Sequence, residues 1–164
     1  MKKAILLIVL SFTLSYGQTA PVNGDGSSGN PYQIATFDNL LWIQADISRW
    51  DKHYIQTADI LADPYGSENW DRIGDAGDPF TGSYNGQGHT IAGLFIALDA
   101  NNANYRGFFG AINGATLENI TLTEVNITNQ DRVGALVGNC TGGTITNCHT
   151  AGTCLLYTSP SPRD

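Results

Sequence analysis

Asp71, Asp75 and Asp78 fall within eight residues on one Gly-containing loop, and clustered carboxylates of this kind can ligate calcium. Their spacing does not match an EF-hand, and a solvated acidic loop is the commoner explanation, so these three stand as weak calcium candidates. His53, His89 and His149 are far apart, and none belongs to an H-E-x-x-H arrangement, so the sequence points to no zinc site. His89 sits in the segment Asn85-Gly86-Gln87-Gly88-His89-Thr90, where a structural hydrogen bond is the expectation. Cys140 and Cys148 could pair in an exported protein. Alternatively Cys148 is a small core residue. Asn119, Asn126 and Asn139 each open an N-x-T triplet, read here as turn and ladder positions rather than sugar acceptors.

Gly24-x-Gly26-x-x-Gly29 matches the dinucleotide fingerprint as a string. That motif works only between a strand and a helix whose N-terminus holds the pyrophosphate. Here it follows an apolar N-terminal stretch and precedes Pro31, so no cofactor is inferred. Polysaccharide-cleaving β-folds need paired carboxylates, or a basic residue working with calcium, on neighbouring strands. The strand-like segments below offer Thr, Asn, Gly and the single acid Glu118, which reads as a solvated ladder. No catalytic residue is assigned.

The elements that must position these residues follow from composition and period. Of 164 residues, 19 are glycine and only 14% are charged, while β-branched and aromatic residues recur throughout. That combination gives many short strands joined by tight turns rather than disorder. The formal net charge is −7, and Lys2, Lys3 and Arg163, three of the eight basic residues, lie near the chain ends. An acidic chain without a basic patch is a poor nucleic-acid binder, because phosphate contacts need clustered Lys or Arg.

Lys2 and Lys3 precede an apolar stretch from Ala4 to Leu14, and Ser15-Tyr16-Gly17 supplies the small residues of a cleavage site. Residues 1–17 are therefore expected to be a signal peptide, too short for a permanent span, with no transmembrane segment after cleavage. Residues 18–31 read as a Gly/Ser/Asn-rich linker. Tyr32-Gln33-Ile34 is strand-like. Thr36 is placed to cap a helix whose apolar face is Phe37, Leu40, Leu41, Ile43 and Ile47, making residues 32–53 an N-terminal cap.

Tyr54 to Ile60 again reads as strand, and Asn85-Gly86 as a turn. An internal repeat follows. Thr90-Ile91-Ala92-Gly93-Leu94, Thr116-Leu117-Glu118-Asn119-Ile120 and Thr144-Ile145-Thr146-Asn147-Cys148 align at steps of 26 and 28 residues by their numbering. Gly107-Phe108-Phe109-Gly110 and Gly134-Ala135-Leu136-Val137-Gly138 precede the last two. A period in the high twenties without helical periodicity predicts stacked β-coils. Ile91, Leu117 and Ile145 would then stack in the core, as would Leu94, Ile120 and Cys148, with Asn119 and Asn147 hydrogen-bonded at one turn.

These segments resemble the GLUG-motif repeat family of bacterial secreted and surface proteins. The resemblance is carried by YIQTADI (Tyr54–Ile60), WDRIG (Trp70–Gly74), PFTGSYNGQGHTIAGL (Pro79–Leu94) and the GFFG and GALVG units ahead of TLENI and TITNC. It implies an all-β, right-handed parallel β-helix over residues 32–153 with an N-terminal capping helix, often in adhesin-like proteins. Some members carry peptidase or other catalytic domains beside the repeats, and no catalytic residue belongs to the motif.

Residues 154–164 are expected to break the repeat, since two Ser-Pro steps disfavour a central strand. CLLYTSPSPRD also resembles the translation of a DNA-library adapter, so the natural chain is expected to run on past Thr153. The resulting expectation is a secreted or cell-surface repeat module, non-catalytic in this region, with a glycan or a cell-surface protein as ligand. The alternatives are the repeat region of a larger secreted hydrolase or peptidase, and a carbohydrate-active β-helix.

Overall fold

A computed structural model describes residues 18–62, 70–96, 105–129 and 132–156; the expected signal peptide and residues 157–164 lie outside the described residues. The first coil is built differently from the rest. Tyr32–Ile34 (β1) leads into a helix, Phe37–Gln44 (α1), at the point where later coils turn into a second strand. Thr36 caps α1 as its residue type predicts: its hydroxyl accepts from the Asn39 amide at 3.2 Å, and the Asn39 side chain accepts from the Thr36 amide at 3.2 Å. Leu40 and Ile43 are fully buried, while Phe37 and Leu41 pack partly against the same core. Ile47 departs from the expected face. It starts a short 3-10 turn (Ile47–Arg49) after α1 has ended and is 58% exposed.

From there the chain winds as a parallel β-helix of about three turns. The second coil carries His53–Gln56 (β2) and Ile60–Leu61 (β3), then returns through Ile73 and Phe80. The third carries Ser83–Asn85 (β4), Thr90–Ala92 (β5), Phe95–Ile96 (β6) and Phe109–Ile112 (β7). Ala115–Glu118 (β8), Thr121–Asn129 (β9) and Val137–Cys140 (β10) follow, then Gly143–Thr146 (β11) and His149–Leu156 (β12).

Among the described residues every pairing between these strands is parallel. The first face runs β1-β2-β4-β8-β11 and the second β12-β9-β5-β3, with β6 also on β9. The third pairs β10 with β7, which is bridged below to Ile73 and Phe80. Side chains alternate inward and outward along each strand. On the first face Tyr54, Tyr84 and Leu117 stack inward in register and are at most 1% exposed. Aromatic rings continue the column across the interior: Phe80 lies 4.9 Å from Phe109, and Trp70 stacks on Phe108 at 5.1 Å. Burying a side chain such as Leu117 contributes about 1.5–3 kcal/mol.

The register corrects one part of the sequence alignment. Thr116 pairs with Thr144 and Leu117 with Ile145, as expected, and Phe109 pairs with Val137. Thr90, however, pairs with Thr121 on the second face, while Ser83 takes the position above which Thr116 sits. The inward columns are therefore Tyr84–Leu117–Ile145 and Ile91–Leu122–Thr150, buried at their first two members and exposed at Ile145 and Thr150. The cause is corner length. Four residues (86–89) separate Asn85 from Thr90, but only Asn119 and Ile120 separate Glu118 from Thr121. The stretch expected as one strand from Tyr54 to Ile60 likewise bends at Thr57–Asp59, where buried Gln56 donates to the carbonyls of Ala58 (2.9 Å) and Thr90 (3.2 Å).

Gly110 stands over Gly74 and beneath Gly138 at the entry to the third face. A Cβ on Gly110 would run into the Gly74 carbonyl oxygen, so the coils can close to ladder distance only without side chains there. At the other end β12 runs through Cys154, Leu155 and Leu156 in register with Ile127, Thr128 and Asn129, three residues past the expected boundary at Thr153.

Candidate functional site

The outward side chains of the first face form two columns that cross the strands. One is His53–Ser83–Thr116 and the other Ile55–Asn85–Glu118, each set in register by the β2-β4-β8 ladder. Beside them the chain before β1 rises as a wall. Ser28 and Pro31 from that wall, with these two columns, line a groove of about 350 Å³.

Within the expected linker at residues 18–31, the wall is held by its own hydrogen bonds. The Asp25 carboxylate accepts from the Ser27 amide at 2.9 Å and the Asn30 side chain at 3.2 Å, and the Asp25 amide donates to the Asn30 carbonyl at 3.0 Å. Hydrogen bonds from Ser27 and then Asn30 hold the Asp25 carboxyl below its usual range. The loop is fastened to the sheet by His53, whose amide donates to the Gly26 carbonyl at 3.0 Å, and by Gln33 donating to Asn23 at 3.0 Å. Gly24 has φ of +88°, and a Cβ there would strike the Pro31 backbone, so glycine is required for this approach. Gly24, Gly26 and Gly29 thus make a hairpin ahead of β1, not a strand-to-helix turn.

Apart from Ile55, the outward side chains of the groove floor are hydrogen-bonding groups, with Glu118 the one acid. His53 Nδ1 lies 2.8 Å from Ser83 Oγ. Asn85 Nδ2 donates to Glu118 Oε2 at 3.3 Å, and Asn85 Oδ1 accepts from Asn119 Nδ2 at 3.1 Å and from the Gln87 amide at 2.9 Å. The amide chain continues upward, Asn147 Nδ2 donating to Asn119 Oδ1 at 2.6 Å. Asn119 and Asn147 therefore meet as the sequence predicts, and Asn85 extends their ladder into the groove. Beneath the floor, Tyr84 is buried with its hydroxyl donating to Gln56 Oε1 at 3.2 Å, and Tyr54 donates to the Arg49 carbonyl at 2.6 Å. Burial pushes both phenols far above their ordinary value. Among the described residues no Lys or Arg lines the groove.

The other sequence candidates lie elsewhere. Asp71 pairs with Arg106 and Arg72, whereas the Asp75 carboxylate accepts from the amides of Gly77 (2.8 Å) and Asp78 (2.9 Å). Among the described residues no three His, Cys, Asp or Glu side chains are grouped to hold a metal ion. His89 Nδ1 is 3.5 Å from Asp59 Oδ1 at the long corner, and His149 opens β12 opposite Thr121. Cys140 and Cys148 are free thiols; Cys140 is exposed, and Cys148 packs partly against the core. Asn126 is exposed on β9, and Asn139 is half-buried on β10. The pairing of His53 with Ser83 escaped sequence reading because the repeat alignment had placed Thr90, not Ser83, under Thr116.

Among the described residues no helix is long and apolar enough to cross a membrane. No protein-family model matches the chain, and no solved structure matches it. It is 34% identical over 139 residues to halomucin of Haloquadratum walsbyi, an alignment covering 82% of this chain and 2% of halomucin. It is 33% identical over 145 residues to a protein of Evansella cellulosilytica named as a Gly-rich membrane protein, covering 82% of this chain and 16% of that one. The chain thus spans a small part of each relative's length.

Proposed function

We propose that this chain is a non-catalytic binding module of a secreted or cell-surface repeat protein, adhesin-like in the manner of the GLUG-motif proteins it resembles. The observation that carries the reading is the outward face of the coils. The core is closed by aromatic and aliphatic columns, while His53, Ser83, Thr116, Asn85 and Glu118 form a recessed polar strip beside the residue 25–31 wall. Such a strip offers a ligand the hydrogen-bonding capacity left on these side chains beyond the bonds they make to one another. One relative's name, a Gly-rich membrane protein, supports a membrane-associated setting. The Lys2-Lys3 start and apolar run to Leu14 supply the export route.

The test is surface accessibility. The full chain, expressed with its own N-terminus in a bacterial host, is expected in the medium or open to protease added to intact cells. Protection from protease until lysis, with the N-terminal segment uncleaved, would sink the reading. A second reading, a hydrolase, has one observation in its favour: the 2.8 Å approach of His53 Nδ1 to Ser83 Oγ in the groove. It predicts ester hydrolysis lost on Ser83→Ala, whereas the binding reading predicts no turnover to lose.

A further inference from the structure

We infer that the first-face groove binds a single strand of an uncharged polysaccharide, laid across the β-strands so that successive sugars meet successive rungs. The inference rests on the binding-module reading and adds the ligand class and its direction.

Direction follows from register. The groove crosses β2, β4 and β8, and neighbouring strands are about 4.8 Å apart, so equivalent side chains recur along the helix axis at a step comparable to one sugar ring with its linkage. At each step the floor presents a group able to pair with a hydroxyl: the His53 imidazole, the Ser83 hydroxyl with the Asn85 amide, then the Thr116 hydroxyl with the Glu118 carboxylate. Sugar hydroxyls both donate and accept, and hydroxyl, amide and imidazole groups match both roles.

Charge selects among polymers. Among the described residues the groove is lined by a carboxylate and by no Lys or Arg, on a chain of net charge −7. A polyanion would meet like charge without a counter-cation. An extended peptide recognised by strand addition needs free backbone groups at a sheet edge. Here the floor strands are interior to the first face, with β2 between β1 and β4 and β8 between β4 and β11, so their backbone groups are already engaged. What remains for a ligand is the side-chain array, and a hydroxyl-rich chain can use it at every rung.

The experiment is affinity electrophoresis of the full chain through gels containing laminarin, mannan or dextran, with alginate and polygalacturonate as anionic comparisons. Thr116→Arg projects a long side chain into the groove from its β8 rung, and Thr123→Arg places the same side chain outward on the second face. Retardation by at least one uncharged polymer is expected, weakened tenfold or more in Thr116→Arg and unchanged in Thr123→Arg. Thr116→Val, which keeps the shape and removes the hydroxyl, is expected to weaken binding less, and it carries the test if circular dichroism shows that Thr116→Arg does not fold. Equal retardation of wild type and Thr116→Arg would overturn the groove assignment. Retardation by the polyanions alone, or by no polymer, would overturn the ligand class. Neither result touches the accessibility test, on which the underlying reading stands or falls.

Discussion

Asn119 holds two separate physical demands at one position. Its φ is +53°, in the left-handed region where a Cβ-bearing residue costs about 1–2 kcal/mol unless local hydrogen bonds compensate, and its amide bridges Asn85 to Asn147. Asn119→Gly removes the bridge but relieves the backbone, and about 1 kcal/mol of stability loss is expected. Asn119→Ala removes the bridge and keeps the strain, so about 2 kcal/mol is expected. Urea melts of the two variants measure the difference, and equal losses would show that the backbone conformation carries no weight. A second residue-scale effect comes from the buried phenols. Their folded pKa values lie above the ordinary value of 10.0, so the folded state keeps protons that the unfolded state releases. That stability is fully present below about pH 10 and is lost as pH rises from there towards the folded values. Tyrosinate absorbance from Tyr54 and Tyr84 should therefore appear only with loss of β-sheet circular dichroism. Full titration of all seven tyrosines in the folded chain would contradict it.

Among the elements, α1 is the one whose formation was clearest from sequence. A Thr cap followed by an apolar face is a local signal, independent of what the rest of the chain does. Thr36→Ala removes the oxygen that accepts from the Asn39 amide, and about 1 kcal/mol of destabilisation is expected in a thermal melt. No measurable shift would mean that packing of Leu40 and Ile43 alone fixes the helix. Strand identity was equally legible wherever corners have equal length. The two-residue corners Asn119-Ile120 and Asn147-Cys148 are of equal length, so the repeat of Thr116 at Thr144 in the sequence coincides with their pairing in the ladder. The longer corner at residues 86–89 shifts the phase, and matching Thr90 to Thr116 then moved a strand from the second face to the first. The same shift hid the groove, because Ser83 meets His53 only in the true register. The wall was hidden for another reason. Gly- and Ser-rich composition predicts freedom from the side chains, whereas residues 22–31 are ordered by backbone bonds to Asn30, Gly26 and Asn23 that composition does not encode.

At the scale of the whole molecule the coils are not equivalent, because burial falls along the helix axis. Tyr84 in β4 and Leu117 in β8 are at most 1% exposed, whereas Ile145, next in the same column, is 43% exposed. Among the described residues β11 and β12 each have strand neighbours on one side only, while β4 and β8 are paired on both sides. In a stacked array each coil draws its stability from its own packing and its interfaces with adjacent coils. Within these 164 residues the last described coil therefore opens more readily than the middle ones, even though its amides hydrogen-bond to the strand below. Native-state hydrogen exchange should show amides of Gly143–Thr146 exchanging at least about tenfold faster than those of Ala115–Glu118, a gap of about 1.4 kcal/mol in opening free energy. Substituting Ile145→Ala tests the cause. Since Ile145 is half-open to solvent, its loss should cost well under the 2–5 kcal/mol usual for a fully buried isoleucine and leave Ala115–Glu118 protection unchanged. If exchange instead slowed or quickened uniformly across all coils, the array would be opening as one unit, and nearest-neighbour coupling would be the wrong description of this fold.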